Sequence, residues 1–335
     1  MQKRRFLLSL VFKLFFFSWI QFTFLKISFS KTNLKKTKIL FNPIFLKHHI
    51  SPDHPETPER INYLLKELKK SNISDLLEEI VLDHPKTINK WIYTIHTKSH
   101  MMSLKKKYPL AEKVSKSAIQ PCMIGLDKIM KNEIKNAFCA VRPPGHHALN
   151  TGKDEGFCYY NHVAVLAKYA QEKHGLKKIL IIDWDYHHGN STEFFFYDDP
   201  SVLFFSTHDA SAYPGTGDES KKGVGKGFGY NINVNLPCGT NDSKIINSFK
   251  TKLVPAADIF KPDLVIISAG FDSRINDLLG CFKITDKGFQ ILTQISMEIA
   301  NKYSEGKIIS VLEGGYNIKG NALATLAHVK TLNNF

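Results

Sequence analysis

Short apolar runs recur along the chain, and each one predicts a β-strand. Five of them are unbroken rather than alternating, which is typical of parallel strands that are buried on both faces of a sheet. They comprise residues 137–141, 179–182, 202–205, 264–267 and 308–312. A further strand is expected at residues 39–41, so we place the start of the folded region near Lys38.

Helical periodicity fills several gaps between these runs. Residues 162–174 carry apolar side chains along one side and stop at Gly175, a residue that favours helix ends. Residues 245–260 and 288–303 are predicted as later helices. The alternation of strand and helix indicates an α/β fold with right-handed crossovers. We therefore predict one domain over residues 37–335, with a central, mostly parallel β-sheet flanked by helices on both faces.

Polar side chains cluster where the predicted strands end. In parallel α/β sheets, ligands bind beyond the carboxyl ends of the strands, and those ends share one edge of the sheet. Five clusters are therefore expected to converge there. They comprise residues 142–147, 183–190, 206–208, 268–272 and 313–316.

Asp185 and His187 are the first candidates for a metal site. Side chains two residues apart in an extended segment point the same way, so a carboxylate and an imidazole would face one point. Asp272 follows another strand and is the natural third ligand. Three protein ligands with an open fourth position are typical of catalytic zinc. The alternative is that the aspartates cap loops and the histidine is merely packed, which leaves the other polar residues at strand ends unexplained.

His146 and His147 follow a rigid Pro-Pro-Gly turn and are candidates for acid–base catalysis, since histidine titrates near neutral pH. Asp183 and Asn190 are candidate partners for their second ring nitrogens. A charged partner raises the pKa of a histidine, and a neutral partner does not. We therefore expect His146, beside Asp183, to be the more protonated of the two. His147, beside Asn190, is expected to stay neutral.

Tyr316 follows two glycines that let the backbone approach a substrate closely. Its phenol is a candidate donor to the oxyanion that forms when water attacks an amide. Loss of one such donor typically costs about 100- to 1000-fold in rate. Without the other motifs, this one would indicate a packed tyrosine after a glycine turn.

Positive charge is concentrated at the start of the chain. The net charge is +14, but residues 1–50 contain ten Lys or Arg and no Asp or Glu, which leaves +4 for the rest. We therefore expect no direct nucleic-acid binding. Because residues 6–25 are almost wholly apolar, residues 1–36 are interpreted as a signal, a membrane anchor or a start codon set too early. We expect a cytoplasmic protein, with export or membrane contact as the alternative if residues 1–30 are such a segment.

The five cysteines include no C-x-x-C pair, so neither a disulfide framework nor a cysteine-rich zinc site is expected. Cys139 and Cys158 lie in apolar or aromatic stretches and should be small buried residues. Three scattered histidines are expected at the surface or at caps rather than as metal ligands. They are His84, His96 and His100.

Taken together, these motifs resemble the zinc-dependent histone deacetylase family, which has the arginase/deacetylase fold. The matches run in family order across about residues 38–330. They comprise residues 54–56, 142–148, 156–159, 183–190, 214–217, 269–272 and 312–317. Residues 183–190 and 312–316 are most similar to the class II and bacterial branch of the family. This branch includes acetylpolyamine amidohydrolases and acetoin-utilisation proteins.

The resemblance implies a deacetylase with one Zn²⁺ per chain that acts on an acetylated protein lysine or an acetylated small amine such as an acetylpolyamine. It gives the zinc ligands, the histidine pair and the tyrosine the roles described above. It also implies a narrow substrate channel, walled by Phe157 and Tyr213 and floored by Gly315.

The family often holds potassium ions behind the site, and the resemblance implies two K⁺ positions. The first would use backbone oxygens of Asp183, Asp185 and His187 together with Ser206 and Thr207. The second would lie near Phe196, Asp199, Val202 and Tyr230.

The sequence departs from the family pattern in three places. Residues 98–123 are lysine-rich where the family usually has a longer stretch with an acidic, substrate-gripping loop. Asn276-Asp277-Leu278 replaces Asp-Asp-Pro, and Ser191 replaces a glycine. None of these is a predicted ligand or catalytic residue, so the departures bear on substrate choice rather than on the chemistry.

Two other functions are compatible with this type of fold. An arginase- or agmatinase-like ureohydrolase would bridge two manganese ions with a further carboxylate, but Gly189 stands where that carboxylate would be. A non-catalytic acyl-lysine-binding protein would be expected to lack a zinc ligand, a histidine of the pair or the tyrosine, and all are present. We therefore predict a hydrolase that acts on linear amides.

Overall fold

An eight-stranded sheet forms the centre of the computed structural model, which describes residues 36–83 and 87–334. Every neighbouring pair of strands is parallel, and the order is β2-β1-β3-β8-β7-β4-β5-β6. The strands are β1 (Lys38–Phe41), β2 (Leu77–Glu79), β3 (Ala137–Cys139), β4 (Ile179–Asp183), β5 (Val202–His208), β6 (Asn231–Asn235), β7 (Leu264–Ala269) and β8 (Ile308–Leu312).

The five unbroken apolar runs all form interior strands, as predicted. Every residue of β3, β4, β5, β7 and β8 is buried, because each of these strands has a strand on either side and helices over the sheet. The sequence analysis missed the two edge strands, β2 and β6. The second of these reads Asn-Ile-Asn-Val-Asn and is paired on one side, so it does not need a continuous apolar run.

Helices flank the sheet in two groups that each pack together. One group includes α1, α9 and α10, and the other includes α3, α4 and α5. The helices are α1 (Glu59–Lys70), α2 (Asn89–Ile92), α3 (Lys98–Lys107), α4 (Pro109–Met130), α5 (His162–His174), α6 (Asn190–Phe196), α7 (Asp242–Ser248), α8 (Val254–Phe260), α9 (Asp286–Tyr303) and α10 (Ile318–Asn334).

Two helix predictions show how local sequence controls helix ends. Helix α5 has the predicted bounds, and Gly175 ends it in the left-handed conformation at φ 70°. The helix predicted at residues 245–260 is instead α7 and α8 joined by a π-helical turn, Phe249–Leu253. Pro255 lies at the start of α8 and has no backbone N–H to continue the α-helical ladder, which accounts for the widened turn.

Two expectations about individual side chains were wrong. His96 and His100 are buried and stack with ring centroids 5.0 Å apart, because backbone and side-chain partners satisfy their ring nitrogens inside the protein. Cys238 and Cys281 form a disulfide with Cα atoms 5.2 Å apart, although they are 43 residues apart in sequence. Cys139 and Cys158 are buried free thiols, as expected.

The N-terminal expectations and His84 fall outside the residues described. Residues 1–35 and 84–86 carry the proposed signal or anchor segment and that histidine, respectively. Across residues 36–83 and 87–334, no helix is both long enough and apolar enough to span a bilayer.

Candidate active site

The carboxyl ends of the central strands bring the predicted polar clusters together. Strand β4 ends at Asp183, between β5 and β7 in the sheet, and β8 lies beside β7. The segments that follow these strands therefore meet at one edge of the sheet. There, residues of the polar cluster 142–147, which follows β3, contact residues of the clusters 183–190 and 313–316.

Asp185, His187 and Asp272 form a potential metal-binding triad. Their ligand-type atoms all lie within 4.8 Å of one another. His187 Nδ1 is 3.2 Å from Asp185 Oδ1 and 3.0 Å from Asp272 Oδ2. Backbone N–H groups orient the carboxylates, since Gly314 donates to Asp185 Oδ2 at 2.9 Å and Tyr186 donates to Asp272 Oδ1 at 2.8 Å.

The charges of this triad are mutually dependent. Burial, and then the charge of Asp185, raises the pKa of Asp272 to about 7. Burial also opposes ionisation of Asp185, but the charges of His146 and His187 hold its pKa below the ordinary value. For His187, burial is outweighed by the two carboxylates, which raise its pKa to about 10. Two buried carboxylates thus compete for the little positive charge nearby, a situation that a bound cation relieves.

The backbone around the triad suits a bound metal ion. A Cβ atom at Gly270 would overlap the carboxylate of Asp185, and one at Gly314 would overlap that of Asp272. Glycine at both positions leaves room for the two carboxylates to approach each other. Two carboxylates and one imidazole are a ligand set that zinc accepts with an open position.

His146 and His147 lie beside the triad, with ring centroids 4.0 Å apart. His146 Nδ1 is 3.0 Å from Asp183 Oδ2, and His147 Nδ1 is 2.7 Å from Asn190 Oδ1. Burial disfavours charge on both rings. The carboxylates of Asp185 and then Asp183 nevertheless raise the pKa of His146 well above its ordinary value. The pKa of His147 is well below its ordinary value, because the neighbouring imidazoles add to the effect of burial.

Tyr316 is buried at the same edge, and burial raises the pKa of its phenol. Its backbone N–H donates to Asp277 Oδ2 at 2.7 Å, and that of Asn317 donates to the same oxygen at 2.8 Å. The guanidinium carbon of Arg60 lies 4.9 Å from the centre of the Tyr316 ring. Asp277 and Arg60 therefore hold the tyrosine from two sides.

The three predicted channel residues lie around this cluster. The Phe157 ring is 5.8 Å from that of Tyr316, and the half-exposed Tyr213 ring is 5.0 Å from that of His147. Gly315 has φ 123°, a conformation that strains any residue with a Cβ atom.

The residues of the two predicted potassium positions also lie in two groups. Asp183 and Ser206 are partners in the β4–β5 register, and the buried Thr207 hydroxyl has no hydrogen-bond partner within the described ranges. In the second group, the Lys168 ammonium lies 2.7 Å from Asp199 Oδ2 and 5.3 Å from the centre of the Phe196 ring. A fixed positive charge therefore already lies beside part of that group. Of the remaining members, Val202 is the first residue of β5 and Tyr230 directly precedes β6.

A buried ion network supports the site, and the sequence analysis gave its members no role. Glu56 accepts from Arg142 Nε at 2.9 Å and from Arg142 Nη2 at 2.6 Å, and it lies 3.3 Å from Arg60 Nη1. Arg60 in turn donates to the backbone oxygens of Glu313 and, at 2.7 Å, of Gly315. The network thus connects α1 to the turn that carries Tyr316.

Glu313 also supports the site, although the sequence analysis placed it in a polar cluster without giving it a role. Its Oε2 accepts from the backbone N–H of Gly145 at 2.6 Å and of His146 at 3.2 Å. Burial raises its pKa to about 7. The side chain fixes the turn before the histidine pair to the end of β8. The position of Glu313 directly before Gly314, within the motif at residues 312–317, was the signal in the sequence that could have identified this role.

Comparison with known proteins agrees with this arrangement. Residues 54–332 match the histone deacetylase domain. A probable deacetylase of Archaeoglobus fulgidus is 34% identical over 301 residues, covering 85% of this chain and 82% of the archaeal protein. Histone deacetylase 5 of Arabidopsis thaliana is also 34% identical, over 89% of this chain, which spans about half (49%) of that protein. The crystal structure of the HDA15 HD domain superposes with a TM-score of 0.82 at 32% identity, covering 89% of both chains.

The chain belongs to the histone deacetylase family. The predicted fold class is confirmed, since the single parallel sheet flanked by helices matches a solved member of the family. The relatives identify a hydrolase of the type that acts on acetylated amides. Zinc is the metal expected for the family, and the triad is where the described structure could hold it.

Proposed function

We propose that this protein is a zinc-dependent deacetylase that hydrolyses the amide of an N-acetyl-lysine or a related acylated amine. The observation that carries the proposal is the buried triad of Asp185, His187 and Asp272, with two differently partnered histidines beside it. One zinc ion held by these three residues would activate water and polarise the amide carbonyl. One or two K⁺ ions bound behind the site are a part of the proposal that rests on family resemblance.

The two histidines divide the proton transfers. With Nδ1–H directed to Asn190 Oδ1, neutral His147 has a free Nε2 that accepts a proton from the attacking water. His146 carries its proton more readily, because its Nδ1–H is held by the Asp183 carboxylate. It is suited to stabilise charge and to supply a proton to the leaving amine.

Tyr316 completes the chemistry. Its phenol remains protonated at neutral pH, because burial raises its pKa. It therefore donates a hydrogen bond to the oxygen that becomes negative when the amide is attacked. Phe157 and Tyr213 present aromatic surfaces for the apolar stem of an acylated amine.

A deacylation screen of the purified full-length chain tests this proposal. Acetyl-lysine peptides, N-acetylpolyamines and longer acyl-lysines would each be supplied with and without a hydroxamate that chelates zinc. We expect hydroxamate-sensitive release of the acyl group from at least one class. Absence of hydrolysis from a zinc-loaded chain would instead favour the non-catalytic acyl-lysine-binding function, and a requirement for two manganese ions would favour the ureohydrolase.

A further inference from the structure

The turn between helices α3 and α4 carries exposed lysines beside the candidate active site. Helix α3 ends at Lys107, and α4 begins at Pro109. Five exposed lysines of these helices and one from the loop against them form what we call the basic elbow: Lys98, Lys105, Lys106, Lys107, Lys113 and Lys153. Over the described ranges, none of the six forms a salt bridge.

The topology places the basic elbow at the active-site edge of the sheet. Helix α4 leads through a short loop to the start of β3, so its N-terminus lies toward the carboxyl edge. The Tyr108 ring, at the centre of the elbow, lies 5.7 Å from that of Tyr159. Tyr159 follows Phe157 by two residues, and its backbone oxygen is 2.9 Å from His100 Nε2 of α3.

A single loop connects the elbow to the channel residues. Lys107 Nζ donates to the backbone oxygen of Gly152 at 3.1 Å, and Ser103 Oγ donates to the same oxygen at 2.8 Å. Four residues further on, Gly156 packs directly against His147 and Tyr213. Four residues of chain span at most about 14 Å, so this lysine surface lies close to the point where a substrate enters.

Nearby carboxylates cancel only part of this positive charge, since the six lysines outnumber the two carboxylates of Asp154 and Glu155 beside them. Glu112 is buried, with Lys116 Nζ at 3.4 Å and the Tyr160 hydroxyl at 3.0 Å. Asp154 is hydrogen-bonded to Tyr108, and Glu155 accepts the backbone N–H of Leu149. The exposed Met102 and Leu110 lie among the lysines and add apolar contact area.

Resting on the proposed deacetylase function, we propose that the basic elbow selects acyl-lysines that lie in acidic polypeptide segments, by pairing with carboxylates on either side of the acyl-lysine. Residues of one peptide extend about 3.5 Å per residue, so flanking carboxylates reach the elbow while the acyl-lysine occupies the channel. An acetylpolyamine carries further positive charge and is repelled. The apolar Met102 and Leu110 favour a polypeptide over the phosphate backbone of a nucleic acid.

Steady-state deacetylation and peptide binding by the full-length chain test this proposal. Three acetyl-lysine peptides of equal length would carry Glu and Asp, Ser and Gly, or Lys and Arg around the acetyl-lysine, with N-acetylspermidine as a fourth substrate. Since surface charges act through screened attraction, we expect kcat/KM to be about tenfold higher for the acidic than for the neutral peptide at 25 mM salt. That preference should shrink to about twofold at 300 mM salt.

Two variants that each remove three positive charges test whether the preference for the acidic peptide arises from the basic elbow. The triple variant Lys105→Gln, Lys106→Gln and Lys113→Gln should abolish most of the acidic preference while leaving kcat/KM for the neutral peptide within about twofold. The control variant Lys131→Gln, Lys173→Gln and Lys177→Gln removes the same charge at the opposite edge of the sheet, where α4 and α5 end. It should keep the preference.

Each other outcome overturns a defined part of the proposal. Equal rates for acidic and neutral peptides, or equal losses in both variants, would refute selection by the elbow. Elbow-dependent binding of a single-stranded oligonucleotide, without an acidic-peptide preference, would assign the surface to nucleic acid and overturn it. Elbow-dependent binding of the acidic peptide without hydrolysis of any substrate would retain the elbow's role and refute the deacetylase function.

Discussion

At the scale of single residues, the environment distinguishes side chains of the same type. The partners of His146 and His147 differ by one charge, and the pKa values of the two rings move in opposite directions. Tyr316 is buried among charged groups, whereas the Tyr213 ring is half-exposed. We therefore expect the catalytic role of each of these residues to follow from its contacts rather than from its type.

The tyrosine pair provides a direct comparison. Tyr316→Phe should lower kcat about 100- to 1000-fold with little change in KM, because the phenol donates its hydrogen bond mainly in the transition state. Tyr213→Phe removes a hydroxyl from the proposed channel wall and should change kcat less than about threefold. Steady-state kinetics on an acetyl-lysine peptide distinguishes the two, and equal effects would argue against the oxyanion role.

Asn190→Asp tests the neutral partner of His147. A carboxylate 2.7 Å from Nδ1 would raise the pKa of His147, so the ring would stay protonated to higher pH and could not accept a proton there. The acidic limb of the pH profile of kcat/KM should therefore move to higher pH. An unchanged acidic limb, in a variant that still binds zinc, would mean that His147 is not the base.

At the scale of elements, the sequence predicted the features that leave a local pattern, which are the buried strands and the polar residues that follow them. The interior strands could be predicted because burial of both faces gives an unbroken apolar run. The asparagine-rich edge strand β6 has no such run and was missed. Asp185, His187 and Asp272 could be chosen from their places after strands. Arg60 could not, because it acts on backbone oxygens more than 250 residues away, and a carbonyl leaves no mark in the side-chain pattern. The disulfide partners Cys238 and Cys281 were missed because they are 43 residues apart in sequence and share no local motif.

The buried Glu56 network should contribute strongly to stability. Glu56→Gln leaves two buried guanidinium groups with one fewer negative charge, so we expect the free energy of unfolding to fall by about 3 kcal/mol. Lys252→Gln breaks the exposed pair with Glu219 and should cost less than about 1 kcal/mol. Urea denaturation followed by circular dichroism measures both, and similar values for the two variants would contradict this view of the network.

At the scale of the whole molecule, buried neutral histidines link folding to pH. His96, His162 and His328 have pKa values lowered to about 3, chiefly by burial, from an ordinary value of 6.5. The unfolded chain binds protons at these rings below pH 6.5, while the folded protein does not until the pH approaches 3. The stability is therefore fully present above pH 6.5 and is lost as the pH falls.

We expect the metal-free protein to lose about 1.4 kcal/mol per pH unit for each of these histidines between pH 6 and 4. His328→Gln should reduce the slope of unfolding free energy against pH by about one proton, whatever it does to the absolute stability. Urea titrations at several pH values provide the slopes. A variant with the parental slope would show that His328 does not remain neutral in the fold.

We propose that one metal ion, held by Asp185, His187 and Asp272, supports amide hydrolysis. The most direct measurement is acetate release from an acetyl-lysine peptide while metal-free protein is titrated with Zn²⁺. We expect activity to rise linearly and to reach a plateau at about one equivalent of zinc per chain, and we expect no such rise for Asp272→Asn. Full activity without metal, a plateau at two equivalents, or an active Asp272→Asn variant would contradict it.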